Sequence, residues 1–147
     1  MKTPASIKGH PIHPMLVTIP IGCWILSFVA DLIFLSTGNA NPWNTVAYYA
    51  MLFGILGALA AAVFGLVDLL SLPPGYTKSV GIKHMSINLV VVAIYVVNAW
   101  MRSGSPSLAS KTPIVLSLVT ILMLVVSGWL GGKMVYEAGV GVDTAAK

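Results

Sequence analysis

The sequence predicts an all-α protein, a four-helix transmembrane bundle with an up-down-up-down path. The chain has 147 residues, of which 57% are hydrophobic and only 8% are charged, whereas soluble domains carry about 25% charged residues. Its mean hydropathy is +0.91. Four apolar runs approach the roughly 20 residues that a helix needs to cross a bilayer. Short segments rich in glycine, proline and asparagine separate these runs.

The four predicted spans cover about residues 15–35, 46–70, 84–101 and 114–136. The first run is too long for the apolar part of a signal peptide, so we expect it to be retained as a helix. The breaks between runs contain turn residues such as Gly38, Pro42 and Gly75. Together the spans predict one integral membrane domain over residues 1–147. The sequence shows no internal repeat.

The basic balance of the chain predicts topology rather than nucleic-acid binding. The formal charge is +4, but the Lys and Arg residues stand singly between apolar runs and form no basic patch. With four spans, six lysines share the side of both termini, and only Arg102 and Lys111 lie on the other. The six are Lys2, Lys8, Lys78, Lys83, Lys133 and Lys147. The positive-inside rule then predicts that both termini lie in the cytoplasm.

Each predicted span has one face of polar or small residues. Because lipid offers no hydrogen bonds, these faces must turn toward the bundle interior. The first face holds His13, Val17, Pro20, Trp24, Ser27 and Asp31, and the second holds Gly57, Ala61, Gly65 and Asp68. The third holds His84, Asn88, Tyr95, Asn98 and Arg102, and the fourth holds Ser117, Thr120, Leu124, Ser127 and Gly131. Small residues at these spacings let helices approach closely.

The three histidines form the candidate site. His10 and His13 lie in Gly-His-Pro-Ile-His-Pro before the first span, and His84 begins the third. The predicted path brings them to one end of the bundle together with Asp68 and Glu137. An ionisable group costs about 2.5–3.5 kcal/mol at the bilayer centre on insertion scales, so such a cluster suggests a function.

One interpretation is a single haem b between His13 and His84, which lie on diagonally opposed helices. His10, Asp68 and Asn88 would then lie around the cofactor. A haem in this position would pass electrons at the membrane, with quinone or a redox partner protein as its electron partner. The protein need not be an enzyme by itself. The plain alternative is that the histidines are interfacial capping residues.

Three further interpretations stay open. His10, His13, His84 and Asp68 could ligate a transition-metal ion. The polar residues of the third span, with Asp68, could pass protons or ions, although an Asp31–Arg102 ion pair would explain two of the charges. The protein could also be a non-catalytic, structural subunit of a larger membrane complex or a homo-oligomer. Motifs of hydrolases and of phosphate loops are absent from the sequence.

Several stretches resemble a known family. They are the residues from Gly9 to Val17 with Pro20-Ile21-Gly22, Gly65-Leu66-Val67-Asp68, His84-Met85-Ser86-Ile87-Asn88, and the stretch from Ser127 to Tyr136 with Gly139-Val140-Gly141-Val142. They resemble a widespread bacterial family of small four-helix membrane proteins of uncharacterised function. The resemblance covers nearly the whole chain and implies the four-helix fold.

The same resemblance implies redox work at the membrane, since some relatives are joined to Rieske iron–sulfur or cytochrome-type domains. The signature histidines of the family correspond to His10, His13 and His84, and its signature acid corresponds to Asp68. Many relatives carry a further histidine where this chain has Ala138. A site with four histidines is therefore not available in this protein.

Overall fold

The computed structural model describes residues 1–38, 40–104 and 111–142. Two short strands, β1 (Ser6–Ile7) and β2 (His10–Pro11), precede five helices. These are α1 (Ile12–Leu16), α2 (Thr18–Thr37), α3 (Ala40–Ser71), α4 (Tyr76–Arg102) and α5 (Thr112–Tyr136). The last of the six lysines in the topology count, Lys147, lies outside the described residues.

The N-terminal segment is a tight hairpin, in which Ile7 pairs with His10. Lys8 and Gly9 form its turn with φ of 49° and 82°. A two-residue turn with positive φ at both positions suits the twist of paired strands, and glycine adopts this conformation without strain. The hairpin is tied to the bundle because the backbone N–H of Ala5 donates to Asp68 Oδ1 over 2.9 Å.

The first membrane crossing is made by α1 and α2 together. The helical hydrogen bonds from Val17 to His13 and from Ile21 to Val17 continue across their junction. Pro20 has no N–H to donate within this stretch, which weakens the ladder at the junction. Gly38, with φ of 68°, ends α2 in a left-handed cap.

Four long helices of sufficient length and apolarity to cross a membrane make up the described fold: Ile12–Thr37, Pro42–Ser71, Tyr76–Arg102 and Thr112–Tyr136. The chain is therefore an all-α four-helix bundle, as predicted. Large apolar side chains such as Leu56, Val125 and Trp129 are exposed on its outer surface, where a membrane protein meets lipid.

The bundle consists of two tightly packed helical hairpins. Helix α2 packs mainly on α3, and α4 packs mainly on α5, while smaller contacts join α3 to α4 and α2 to α5. Helices α2 and α4 therefore lie on a diagonal, as the sequence predicted. The predicted polar faces turn inward: Pro20, Trp24, Ser27 and Asp31 of α2 and Tyr95, Asn98 and Arg102 of α4 are all buried.

Two helices are longer than the apolar runs that predicted them. Helix α4 begins at Tyr76, two turns before His84, and α3 begins at Ala40 rather than near residue 46. Both additions are polar stretches that the apolar pattern could not reveal. In the first, Lys78 Nζ donates to the carbonyl of Leu72 over 2.9 Å, which satisfies an acceptor beyond the end of α3.

Candidate functional site

The imidazole of His13 is held against α3. Its Nδ1 lies 2.8 Å from the carbonyl oxygen of Ala61. Because a carbonyl only accepts, Nδ1 must carry the proton, and the lone pair is on Nε2. Among the residues that the structure describes, none hydrogen-bonds that Nε2. His13 therefore has an imidazole nitrogen, Nε2, with no hydrogen-bond partner in the described part of the chain.

Helix α1 explains how His13 reaches this position. Pro14 occupies the first turn of the helix, where a missing N–H costs no hydrogen bond. His10, by contrast, lies in β2. The two histidines are thus in different elements of the structure.

The imidazole of His84 is held in the same way against α5. Its Nδ1 lies 2.9 Å from the carbonyl oxygen of Ser127 and 3.0 Å from the hydroxyl of the same residue. Its Nε2 lies 3.1 Å from the amide nitrogen of Asn88. That amide also donates to Ser127 Oγ over 2.7 Å. His84 is therefore the same tautomer as His13, with its Nε2 lone pair facing an amide donor.

The two rings lie close together across the bundle. Their centroids are 6.3 Å apart and their planes are at 89°. Both side chains are half-buried. We call His13, His84, Asn88 and Ser127 the histidine layer. The structure therefore brings together three of the five predicted cofactor-binding residues: His13, His84 and Asn88.

The other predicted ligands lie elsewhere. His10 is exposed and lines an apolar pocket of about 270 Å³ beside the N-terminal hairpin. Asp68 accepts the backbone hydrogen bond of Ala5, and Glu137 is exposed beside Lys133, at 3.7 Å. In residues 1–38, 40–104 and 111–142, no group of three His, Cys, Asp or Glu side chains could hold a metal ion.

An aromatic layer follows along the bundle. The rings of Trp24 and Tyr95 are stacked, with centroids 4.4 Å apart and planes at 12°. Met51 and Val91 complete this buried apolar cluster. The layer interrupts the polar face of α4 between Asn88 and Asn98. The predicted path for protons or ions therefore contains an apolar section in this structure.

A charged layer closes the other end of the interior. Arg102 donates to both carboxylate oxygens of Asp31, over 2.8 and 2.9 Å. It also donates from Nη1 to Asn44 and from Nε to Asn98, over 2.9 and 3.0 Å. Asn98 in turn donates to the carbonyl of Pro113 over 2.8 Å. The sequence suggested an ion pair between Asp31 and Arg102. The structure contains this pair, and Arg102 also binds two asparagine side chains within the bundle.

Several partners of these layers are not apparent from the sequence. Asn44 precedes the predicted second span, although its position near Pro42 at the start of α3 fits a helix N-terminus. The carbonyl of Ala61 carries no side-chain signal at all. Gly65 and Gly131 are visible in the sequence as sites of close approach. Glycines within the interior faces of α3 and α5 indicate where another group approaches the backbone.

Comparison with known proteins agrees with this architecture. No curated protein and no solved structure matches the chain significantly. Residues 9–144 match the model of a family described as a predicted membrane protein family, DUF2231. This range includes His10, His13, His84 and all four long helices. The chain belongs to the DUF2231 family of predicted membrane proteins.

Proposed function

We propose that this protein is a small redox protein that holds one b-type haem between His13 and His84 and passes electrons at the membrane. The observation that carries the proposal is that Nδ1 of each histidine lies within hydrogen-bond distance of a backbone carbonyl, which assigns the same tautomer to both rings. Each donates Nδ1–H to a backbone carbonyl, over 2.8 and 2.9 Å. Metal-ligating histidines are oriented in this way, since the hydrogen bond fixes the ring and makes the other nitrogen a better ligand.

The separation of the rings supports two axial ligands on one iron. A metal–nitrogen bond to imidazole is about 2 Å, so two imidazoles on opposite sides of one metal ion have centroids roughly 6 Å apart. The observed separation is 6.3 Å. Axial ligation of haem requires only two protein ligands, which is the number that the histidine layer supplies.

The surrounding residues would hold the cofactor and limit its reactions. A haem held by His13 and His84 would supply single-electron transfer, since both of its protein ligands would be side chains of this chain. Asn88 Nδ2 lies 3.1 Å from His84 Nε2, so this amide would have to release the nitrogen before it could bind iron, and would keep its hydrogen bond to Ser127 Oγ. The stacked rings of Trp24 and Tyr95 separate the histidine layer from the charged layer.

We propose a bacterial inner membrane location, with quinone or a redox protein as the electron partner. The chain provides four helices that can cross a membrane and almost no extramembrane mass. An electron carrier of this shape must exchange electrons with a lipid-soluble molecule or with a protein docked at one end of the bundle. The alternative of a metal ion held by His10, His13, His84 and Asp68 has less support, because these side chains are not gathered in one group.

The test is an absorption spectrum of the detergent-purified protein, oxidised and then reduced with dithionite, with metal analysis of the same sample. We expect a Soret band that shifts on reduction and about one iron per chain. A colourless protein that also fails to take up added haemin would contradict the proposal.

A structural role in a larger membrane complex is the second candidate. The charged layer favours it, because Arg102 and Asp31 are both buried and join α2, α3 and α4 through side-chain contacts. Gentle solubilisation should then yield stoichiometric partners. A stable, isolated monomer in mild detergent would count against this role.

A further inference from the structure

Corresponding residues of the two helical hairpins meet each other along the bundle centre. His84 follows His13 by 71 residues, and the same interval separates Tyr95 from Trp24 and Arg102 from Asp31. Each of these pairs is in contact: the first as perpendicular rings, the second as stacked rings and the third as an ion pair. Pairs of equivalent residues that contact each other lie on a two-fold axis.

The partners of the two histidines repeat as well. His13 contacts the carbonyl of Ala61, and His84 contacts that of Ser127. In both helices a glycine follows four residues later, Gly65 in α3 and Gly131 in α5. Ser127 follows Ala61, and Gly131 follows Gly65, by the same 66 residues. Among these corresponding pairs, only the histidines and the glycines are the same residue type. The two hairpins therefore share the spacing and the contacts of these residues and not their sequence.

The glycines leave the space that each imidazole occupies. A Cβ atom at Gly65 would lie 2.7 Å from His13 Nδ1, well inside van der Waals contact. A Cβ atom at Gly131 would lie 3.4 Å from His84 Cε1, so any larger side chain there would meet the ring. His13 thus depends on Gly65 to reach the carbonyl of Ala61, whereas at Gly131 an alanine would be in ordinary van der Waals contact with His84 and only a larger side chain would press on the ring.

We infer that the two hairpins are equivalent halves related by an approximate two-fold axis. Each half has one imidazole seat, by which we mean a backbone carbonyl that binds the histidine and a glycine one turn later that leaves room for the ring. The seats are formed by Ala61 and Gly65 in one half and by Ser127 and Gly131 in the other. The inference rests on the proposed function in one respect: the ligand between the seats is the haem. Gly65 and Gly131 are then positioning residues. The ligand has two equivalent faces, one bound by each hairpin.

The test compares four variants of the full-length protein in detergent, with two readouts. Gly65→Ala and Gly131→Val alter the seats. Gly22→Ala and Gly128→Val are the matched controls, since a Cβ atom at either glycine meets nothing within 4 Å. The first readout is haemin affinity, and the second is the tautomer of each histidine in the haem-free protein, from the ¹⁵N chemical shifts of labelled imidazoles.

We expect Gly65→Ala and Gly131→Val each to weaken haemin binding about 10- to 100-fold, as loss of an orienting contact does at metal sites. Gly65→Ala should remove the Nδ1–H signature of His13 and leave that of His84, and Gly131→Val should do the reverse. Seat variants that match their controls in both readouts would overturn the inference. An effect at only one of the two seats would overturn the equivalence of the hairpins.

The two proposals fail in different ways. If the unaltered protein binds no haemin, the proposed function is wrong, and the ¹⁵N shifts still decide whether the seats exist. If Gly65→Ala does not fold, the outcome for Gly131→Val decides, since the gap at Gly131 is wider. If the protein binds haem but its histidines lack the Nδ1–H tautomer, the inference of two imidazole seats is wrong and the proposed function stands.

Discussion

Arg102 Nη1 lies 2.8 Å from Asp31 Oδ1, and each of these side chains is at most 1% exposed. The two residues are 71 positions apart in the chain and belong to diagonally opposed helices. Breaking a buried pair leaves an uncompensated charge, which costs about 3–5 kcal/mol. The contact therefore stabilises the relative position of the two hairpins.

The first prediction concerns this pair. Arg102→Met should lower the free energy of unfolding by about 3–5 kcal/mol, measured by titrating a denaturing detergent into mixed micelles. Asp31→Leu combined with Arg102→Met should recover a large part of that loss, because no charge stays buried. Val97→Ala, on the lipid-facing side of the same helix, is the control. A single variant as stable as this control would contradict the prediction.

The second prediction concerns the proposed axial ligands. His84→Ala should abolish the Soret band while membrane insertion is retained, because one of the two iron ligands is lost. His13→Ala should have the same effect. Ser86→Ala, on the exposed face of the same helix, should bind haem normally. A Soret band of full intensity in His84→Ala would rule out this residue as a ligand.

The third prediction concerns the aromatic layer. A Cβ atom at Gly54 would overlap the indole of Trp24, so Gly54→Ala must displace the ring from its stack with Tyr95. We expect a loss of about 1–3 kcal/mol in the free energy of unfolding, the usual cost of overpacking. The emission maximum of tryptophan fluorescence should shift as well. Gly22→Ala, which meets no neighbour, should change neither quantity.

The fourth prediction concerns the N-terminal hairpin. Asp68→Ala removes the acceptor of the Ala5 backbone N–H, a 2.9 Å hydrogen bond. Hydrogen–deuterium exchange of residues 3–12 should then be faster, since their anchor to α3 is lost. Asp68→Asn keeps an oxygen at the same position and should restore slow exchange. Unchanged exchange in the alanine variant would show that other contacts hold the segment.

The fifth prediction concerns orientation. The excess of lysine on the side of both termini predicts that this side faces the cytoplasm. A cytoplasm-active reporter fused after Lys147 should be active, and a periplasm-active reporter at the same position should be silent. The same pair of reporters inserted after Gly104 should give the opposite result. Reversal of both results would contradict the prediction.

The sequence by itself determined the membrane class, the number of helices long enough to span a membrane, and the faces of these helices that turn inward. An apolar run of about 20 residues has few alternatives to a spanning helix, because each unpaired backbone group in lipid costs several kcal/mol. For the same reason, polar residues such as Asn98 and Arg102 at helical spacing had to turn inward. The sequence also identified His13 and His84 as facing residues, since they begin spans that are diagonal in an up-down bundle.

Only the tertiary structure decided which groups bind to one another. The partners of His13 and His84 are backbone carbonyls, and every residue has one, so no pattern of side chains could single out Ala61 or Ser127. The equivalence of the two hairpins was hidden for a related reason. Equivalent positions in two packed hairpins can hold different residue types, as long as the side chains fit together. Trp24 and Tyr95 occupy one such pair of positions, and Asp31 and Arg102 occupy another.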